Sequence, residues 1–352
     1  MKYSDVDTPS VLIDLDIVEA NIQKYQRYCN SIGLNLRPHI KTHKIPALAK
    51  LQLAEGAVGI TCQKISEAEA IISEGGIDDI LITYNIIGEK KLTRLLALAE
   101  RVKLSVVADN QTCISGLSEV FSKSNAELTV LVECDTGAMR CGVVNPQQAL
   151  DLAMAIENLP GINFGGLMTY PPTGKWDSVN KALLEIKGLL EDKKIDVPVI
   201  SVGGSPDMWN ADKILVATEY RIGTYIYNDK SLIERGTCDL KDCALTVLAT
   251  VVSTPTPERA VVDAGSKVLT SDLSGLVGYG VVVDFPHVTI SNLSEEHGCL
   301  KSEVPTGLFV GQKVQIIPNH ACVVSNMTDQ VHFVKKGGTI LSQKVVARGK
   351  VW

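Results

Sequence analysis

Leu34-Asn35-Leu36-Arg37-Pro38-His39-Ile40-Lys41-Thr42-His43-Lys44 holds the pattern from which the fold is read. Leu34 and Leu36 alternate with polar neighbours, as the inward face of a strand does. Pro38 fixes its own φ and pushes Arg37 into an extended conformation, so the strand runs out into a loop rather than a helix. Helical spacing resumes from Ile45 to Ala54. The unit is therefore strand, polar loop, helix. Five cationic or imidazole groups crowd into the eight residues from Arg37 to Lys44. In an extended chain Arg37, His39, Lys41 and His43 share one side. A lysine among like charges holds its proton less tightly, and a neutral amine attacks carbonyls. A solvated basic loop is the competing reading of the same residues.

The unit repeats along the chain. Strands are expected at Leu34 to Arg37, Val58 to Cys62, Asp79 to Thr83, Lys103 to Val107, Leu128 to Cys134, Asn163 to Thr169, Val197 to Val202 and Ile214 to Thr218. Helices are expected at Ser66 to Ser73, Glu89 to Ala99, Pro146 to Ile156 and Val179 to Glu191 in the gaps. Such alternation implies parallel strands joined by right-handed crossovers. Eight strands in about 200 residues fit a (β/α)8 barrel of TIM type. An open doubly wound sheet competes with it. Upstream, Ser10 to Asp14 reads as a strand, and Asp16 to Ser31 as an amphipathic helix stopped by Gly33.

After Asp239 helical spacing nearly disappears. Short strands are expected at Leu245 to Val252, Ala260 to Asp263, Gly280 to Val283, Val288 to Ile290, Lys313 to Ile317, Gln330 to Val334 and Lys344 to Val346. Turn signals such as Thr254-Pro255-Thr256-Pro257 and Gly337-Gly338 separate them. Three parts follow: residues 1–15 as a strand joining the β domain, 16–238 as the barrel, and 239–352 as the β domain. The class is α/β, with an additional mainly-β C-terminal domain.

With 45% hydrophobic and 21% charged residues the chain is an ordinary globular one. Its net charge of −6 argues against a nucleic-acid partner. No apolar run reaches membrane-spanning length, and the first residues lack signal-peptide character. Nine cysteines without a CxxC pair suit reduced thiols in the cytoplasm.

Three further stretches carry chemistry. Glu133-Cys134-Asp135-Thr136-Gly137-Ala138-Met139-Arg140 leaves an apolar strand at the position where barrel sites are built. Arg140 there can donate to an anionic oxygen. Ser201-Val202-Gly203-Gly204-Ser205-Pro206 follows the seventh strand, where barrels often bind phosphate through loop amides. Pro318-Asn319-His320-Ala321-Cys322 sets an imidazole and a thiol two apart, on one side of an extended segment, and the two together suit zinc. Two ligands need water, substrate or a third group to complete a site.

Together these stretches resemble the alanine-racemase-like class of pyridoxal-phosphate enzymes, and within it the D-threonine aldolase / D-serine dehydratase family. The resemblance runs nearly end to end. Arg37-Pro38-His39-Ile40-Lys41-Thr42-His43-Lys44 and His320-Ala321-Cys322 carry it most specifically. Asp135-Thr136-Gly137, Thr218-Glu219-Tyr220-Arg221 and Asp263-Ala264-Gly265-Ser266-Lys267 support it. It implies pyridoxal 5'-phosphate as cofactor and Lys41 as its Schiff-base lysine. Arg140 is expected to face the cofactor ring, and Tyr170 to reach the pyridine nitrogen. Gly203, Gly204, Ser205 and Tyr225 are expected to hold the phosphate. His320 and Cys322 are expected to hold a divalent metal near the substrate (zinc, or alternatively manganese or magnesium). Lys41, His320 and Cys322 form the catalytic set. A head-to-tail homodimer is also implied.

The implied activity is a lyase reaction on D-β-hydroxy amino acids, first of all retro-aldol cleavage to glycine and an aldehyde. D-serine dehydration to a 2-oxo acid and ammonia is the alternative, and an amino-acid racemase is a second. A non-catalytic pyridoxal-phosphate carrier is disfavoured because it needs no β domain. One departure bears on mechanism. No histidine lies between His43 and His287, so no histidine base is near Thr169-Tyr170. Lys41 or a metal-bound water is expected to serve instead. Cys322 in place of an aspartate leans toward zinc and the dehydratases.

Overall fold

The computed structural model describes residue 3, residues 5–335, residue 338 and residues 340–352. Gly337 of the expected Gly337–Gly338 turn lies outside the described residues. The chain begins with β1 (Ser10–Asp14) and α1 (Leu15–Ser31). The alternation then runs β2 (Asn35–Leu36), α2 (Pro46–Glu55), β3 (Ile60–Cys62), α3 (Ile65–Ile72), β4 (Asp79–Ile82), α4 (Glu89–Ala99), β5 (Lys103–Ala108), α5 (Gln111–Phe121), β6 (Leu128–Cys134), α6 (Pro146–Asn158), β7 (Ile162–Thr169), α7 (Trp176–Asp192), β8 (Val199–Gly203) and β9 (Glu219–Arg221). The remainder comprises α8 (Lys230–Glu234), β10 (Leu245–Thr256), β11 (Arg259–Val262), α9 (Ser266–Leu269), β12 (Val281–Val282), β13 (Thr289–Leu293), β14 (Gly298–Lys301), β15 (Lys313–Ile317), α10 (Ala321–Met327), β16 (Gln330–Val334) and β17 (Ile340–Lys344). Two compact units result. The α/β unit holds Tyr25–Lys41, Pro46–Gly223 and Lys350–Trp352. The β unit holds the residues through Lys24, Thr42–Ile45 and Thr224–Gly349.

The α/β unit is a parallel sheet in the order β2-β9-β8-β7-β6-β5-β4-β3. Its two ends meet. His39 bridges Thr61 in parallel, and the Thr61 amide donates to the Pro38 carbonyl at 2.8 Å. This closure decides for the barrel and against the doubly wound sheet. Leu81, Val107, Leu131 and Met168, one from each of β4 to β7, form one buried cluster. Helix starts follow from side-chain caps: Asn110 accepts from the Cys113 amide, and Asn145 from Gln148 with Pro146 behind it. At Gly166, φ is +122° and a Cβ would overlap the Val199 carbonyl, so only glycine lets β7 and β8 approach there.

Two expectations in this unit need correction. The eighth strand is Glu219–Arg221, not Ile214 to Thr218. Its alternate residues are charged yet buried, because partners inside the barrel satisfy them. The helix Gln111–Phe121 was not anticipated, although Cys113, Ile114, Leu117 and Phe121 bury one face of it.

The β unit is one mixed sheet ordered β13-β14-β11-β10-β1-β16-β17, with β15 pairing both β10 and β12. The N-terminal strand lies between β10, antiparallel, and β16, parallel. Val6, Leu12, Leu248 and Val334 pack as a core cluster. Strand Gly298–Lys301 and the helix Ala321–Met327 were not anticipated.

Candidate active site

In the α/β unit, the basic segment does not keep the alternating geometry of a strand. Ile40–Thr42 closes a single 3-10 turn, and the Lys41 amide donates to His39 Nδ1 at 3.4 Å. Arg37 points inward instead. Its Nε donates to Glu219 at 2.7 Å and its Nη1 to Asp79 at 2.5 Å. Two carboxylates therefore pair with the cation that was expected to share a face with Lys41. His39 is also buried, with Nε2 3.1 Å from Gln63 Oε1 and its amide bonded to the Ile222 carbonyl at 2.8 Å. Between Leu36 and Ile45, Lys41 alone is exposed. The fold singles out this one amine.

The loop after β6 builds the next part. Asp135 Oδ1 accepts from the amides of Gly137 and Met139 at 2.8 and 3.1 Å, which turns the chain so that Arg140 comes back over Glu133. Arg140 Nη2 lies 4.0 Å from Glu133 Oε1. Its guanidinium lies 5.0 Å from the centre of the exposed Tyr170 ring. Arg140 and Tyr170 are thus brought together as a pair. Glu133 is only 4% exposed, and burial pushes its carboxyl up to about 6.

Behind that pair runs a buried chain of polar groups. Arg221 Nη1 donates to Ser201 Oγ at 2.5 Å and Nη2 to the Thr169 carbonyl at 2.8 Å. Ser201 in turn donates to Glu219 Oε1 at 2.5 Å, and Glu219 holds Arg37. Burial draws Arg221 down to about 10. Glu133, Ser201, Glu219 and Arg221 were not chosen as site residues. The signal for them is charge at alternate positions within a barrel strand, which has no place unless it faces a site.

Gly204 sits at φ +144°, and a Cβ there would lie 3.5 Å from the Tyr170 ring. Its amide already donates to the Arg221 carbonyl at 3.1 Å, and its carbonyl accepts from Tyr220 Oη at 2.8 Å. Gly203 pairs with Arg221 in the β8–β9 ladder. The turn's remaining donors therefore begin at Ser205, where the 3-10 segment Ser205–Lys213 starts.

The other residues belong to the β unit. Tyr225 is buried in the turn Thr224–Ile226. His320 and Cys322 are not extended. His320 caps the N-terminus of α10 and Cys322 lies in its first turn, so the same-side argument from a strand does not apply. They bear on each other's protons nonetheless. Cys322 raises His320 to about 9. Burial pushes the Cys322 thiol up, but His320 and Thr42 together hold it below its ordinary value. Thr42 Oγ1 lies 3.2 Å from Cys322 Sγ, and Thr224 Oγ1 3.6 Å. His320 Nδ1 lies 2.9 Å from Asp272 Oδ2, a partner the sequence gave no sign of. Asp229 Oδ2 accepts from the Ala321 amide at 3.0 Å and fixes the helix start. No group of three His, Cys, Asp or Glu side chains suited to a metal occurs among the described residues.

Comparison with known proteins agrees with this layout. Residues 13–231 match the family model described as alanine racemase, N-terminal domain, and residues 244–334 that described as "Putative serine dehydratase domain". A D-threonine aldolase of Arthrobacter sp is 33% identical, over 98% of this chain and 93% of its own. A D-threo-3-hydroxyaspartate dehydratase of Delftia sp. (strain HT23) is 30% identical over 90% and 91%. The crystal structure of D-threonine aldolase from Filomicrobium marinum superposes with a TM-score of 0.92 at 34% identity, covering 99% of this chain and 98% of that one. With an alanine racemase-type family model over most of its length and relatives matched end to end, the chain belongs to the alanine-racemase-like D-threonine aldolase / D-serine dehydratase family.

Proposed function

We propose that this protein is a pyridoxal-phosphate-dependent lyase that cleaves D-β-hydroxy amino acids between Cα and Cβ, releasing glycine and an aldehyde. The observation that carries this reading is the lone exposure of Lys41 in an otherwise buried segment, within a chain that aligns end to end with a D-threonine aldolase. The residues present fit the cofactor. An accessible amine suits an aldehyde, Arg140 over Tyr170 suits an anionic aromatic ring, and a glycine turn opening on the Ser205 donors suits a phosphate. When bound, pyridoxal phosphate supplies the sink for the electron pair of the broken bond.

Lys41 would hold the cofactor through its amine and move protons at the substrate. Arg140, steadied by Glu133, would orient the ring, and Tyr170 would act at its nitrogen. Gly203 and Gly204 would keep side chains out of the phosphate turn, and Tyr225 is assigned to the phosphate as well. His320 and Cys322 would hold a divalent metal. Imidazole with thiolate fits zinc first and manganese or magnesium after it. Such a cation acidifies a bound β-hydroxyl. A homodimer completes the proposal, placed in the cytoplasm because nine cysteines without a CxxC pair suit a reducing compartment.

A second reading, dehydration to a 2-oxo acid and ammonia, is favoured by Cys322 as the second ligand and by the Delftia relative. Incubating the cofactor- and zinc-loaded protein with D-threonine, D-serine and D-3-hydroxyaspartate separates the two. Glycine plus an aldehyde supports the aldolase, and 2-oxo acid plus ammonia replaces it with the dehydratase. Interconversion of enantiomers without either product would replace both with a racemase.

A further inference from the structure

Gln63 follows the end of β3 and reaches two ways. Its Nε2 donates to the carbonyl of Thr83, just past β4, at 2.8 Å. Its Oε1 lies 3.1 Å from His39 Nε2. Its own amide donates to Oε2 of the fully buried Glu67 at 2.7 Å, which fixes the backbone from which that side chain departs. His39 stands immediately before the 3-10 turn Ile40–Thr42, and its Nδ1 accepts from the Lys41 amide. That is the place and the bond of an N-cap, made here by an imidazole. Thr83, Gln63, His39 and Lys41 thus form one line of hydrogen bonds across the ends of neighbouring strands.

The direction of each bond in this line follows from its outer end. A backbone carbonyl only accepts, so Gln63 turns its amide nitrogen to Thr83 and its oxygen to His39. That oxygen also only accepts, so His39 Nε2 carries a proton. Nδ1 must be bare, because it receives the Lys41 N–H. A second ring proton would set two N–H groups against each other there. We propose that Gln63 is a positioning residue for Lys41: it locks His39 as the neutral Nε2–H tautomer, and that tautomer caps the turn that carries the amine. His39 is then an acceptor beside Lys41 rather than one more cation. Without the cap the Lys41 backbone rotates and carries the amine off the geometry that proton transfer needs. This consequence for turnover rests on Lys41 being the cofactor lysine.

The test is two-bond proton–nitrogen correlation spectroscopy of the full-length, cofactor-loaded protein, isotope-labelled on its histidine ring nitrogens. The His39 ring, assigned as the signal missing from His39→Asn or His39→Gln, should show Nε2 protonated and Nδ1 bare. Gln63→Leu should release the lock and let both neutral tautomers appear. In steady-state kinetics on the substrate turned over fastest, Gln63→Leu and His39→Leu should lower kcat by about fivefold, the worth of one cap, with KM unchanged. His39→Asn, whose side-chain oxygen takes the place of Nδ1, should restore most of that loss. His39→Gln, whose amide reaches the place of Nε2 instead, should not. A wild-type His39 ring protonated on Nδ1, alone or together with Nε2, overturns the proposal. So does a folded His39→Asn variant that loses as much turnover as His39→Leu. The spectrum reads the hydrogen-bond line whatever Lys41 does, so its failure is distinct from a failure of the cofactor reading, which Lys41→Ala tests.

Discussion

Lys41 is exposed while the residues on either side are packed away, so its replacement tests chemistry more than folding. Lys41→Ala should lower lyase turnover by about a thousandfold, the scale of losing one proton-transferring group, and by more if covalent attachment is also lost. Borohydride reduction of the loaded protein should fix the pyridoxyl group on a Lys41 peptide. Label on Lys44 or Lys267 would move the assignment. Glu133 makes a separate prediction about pH. Its carboxyl is pushed from 4.5 to about 6 by burial, so the folded chain binds this proton more tightly than the unfolded chain does. The associated stability is present at low pH and is lost as pH rises through about 4.5 to 6, amounting to about 2 kcal/mol. Urea unfolding of the cofactor-free protein across that window should show the decline, and Glu133→Gln should flatten it. An unchanged slope in the variant would assign the titration to another group. At this scale local pattern picked out Lys41, which the fold leaves exposed, and Arg140, which lies against Tyr170. It was silent on Arg37 being neutralised, because Glu219 lies 182 residues away.

Among the elements, α10 decides how the proposed metal pair works. Ala321-Cys322-Val323-Val324 is β-branched and reads as a strand, but Asp229 takes the Ala321 amide and starts a helix there. The same-side argument drawn from spacing therefore rests on an extended geometry that this segment does not have. The eighth barrel strand was missed for the opposite cause: Glu219 and Arg221 look solvated until Arg37 and Ser201 supply buried partners. If His320 and Cys322 hold zinc, replacing both by alanine should leave a folded protein that still binds cofactor but has lost zinc affinity and turnover, and a chelator should reproduce the loss in the wild type. Retained turnover in a metal-free preparation would remove the metal from the mechanism. Asp272 Oδ2 lies 2.9 Å from His320 Nδ1 and steadies the ring. Second partners of this kind are worth about 10- to 100-fold in metal affinity. Asp272→Asn should weaken zinc binding by about that factor, read by competition with a chromophoric chelator, while the circular dichroism stays unchanged.

At the scale of the whole molecule, the sequence showed that the texture changes after Asp239 and led us to expect a strand more than 200 residues upstream to join the β unit, but not which strands it pairs with. No local pattern specifies that Leu12 pairs with Thr246 on one side and His332 on the other. The energetic consequence is large. Val11, Leu12 and Ile13 are 3%, 2% and 0% exposed, and burying three aliphatic side chains contributes about 5–9 kcal/mol. That is comparable to the whole stability of a typical domain, about 5–15 kcal/mol. Without β1, moreover, β10 and β16 each expose a row of unpaired amides and carbonyls. A fragment running from Thr224 to Trp352 should therefore lack a cooperative urea transition and aggregate. The same fragment fused through a glycine–serine linker behind residues 1–24 should unfold cooperatively, with a sheet signature in far-ultraviolet circular dichroism. Cooperative unfolding of the unfused fragment would mean that β10 and β16 close the sheet without β1, and that the N-terminal strand contributes far less than its burial implies.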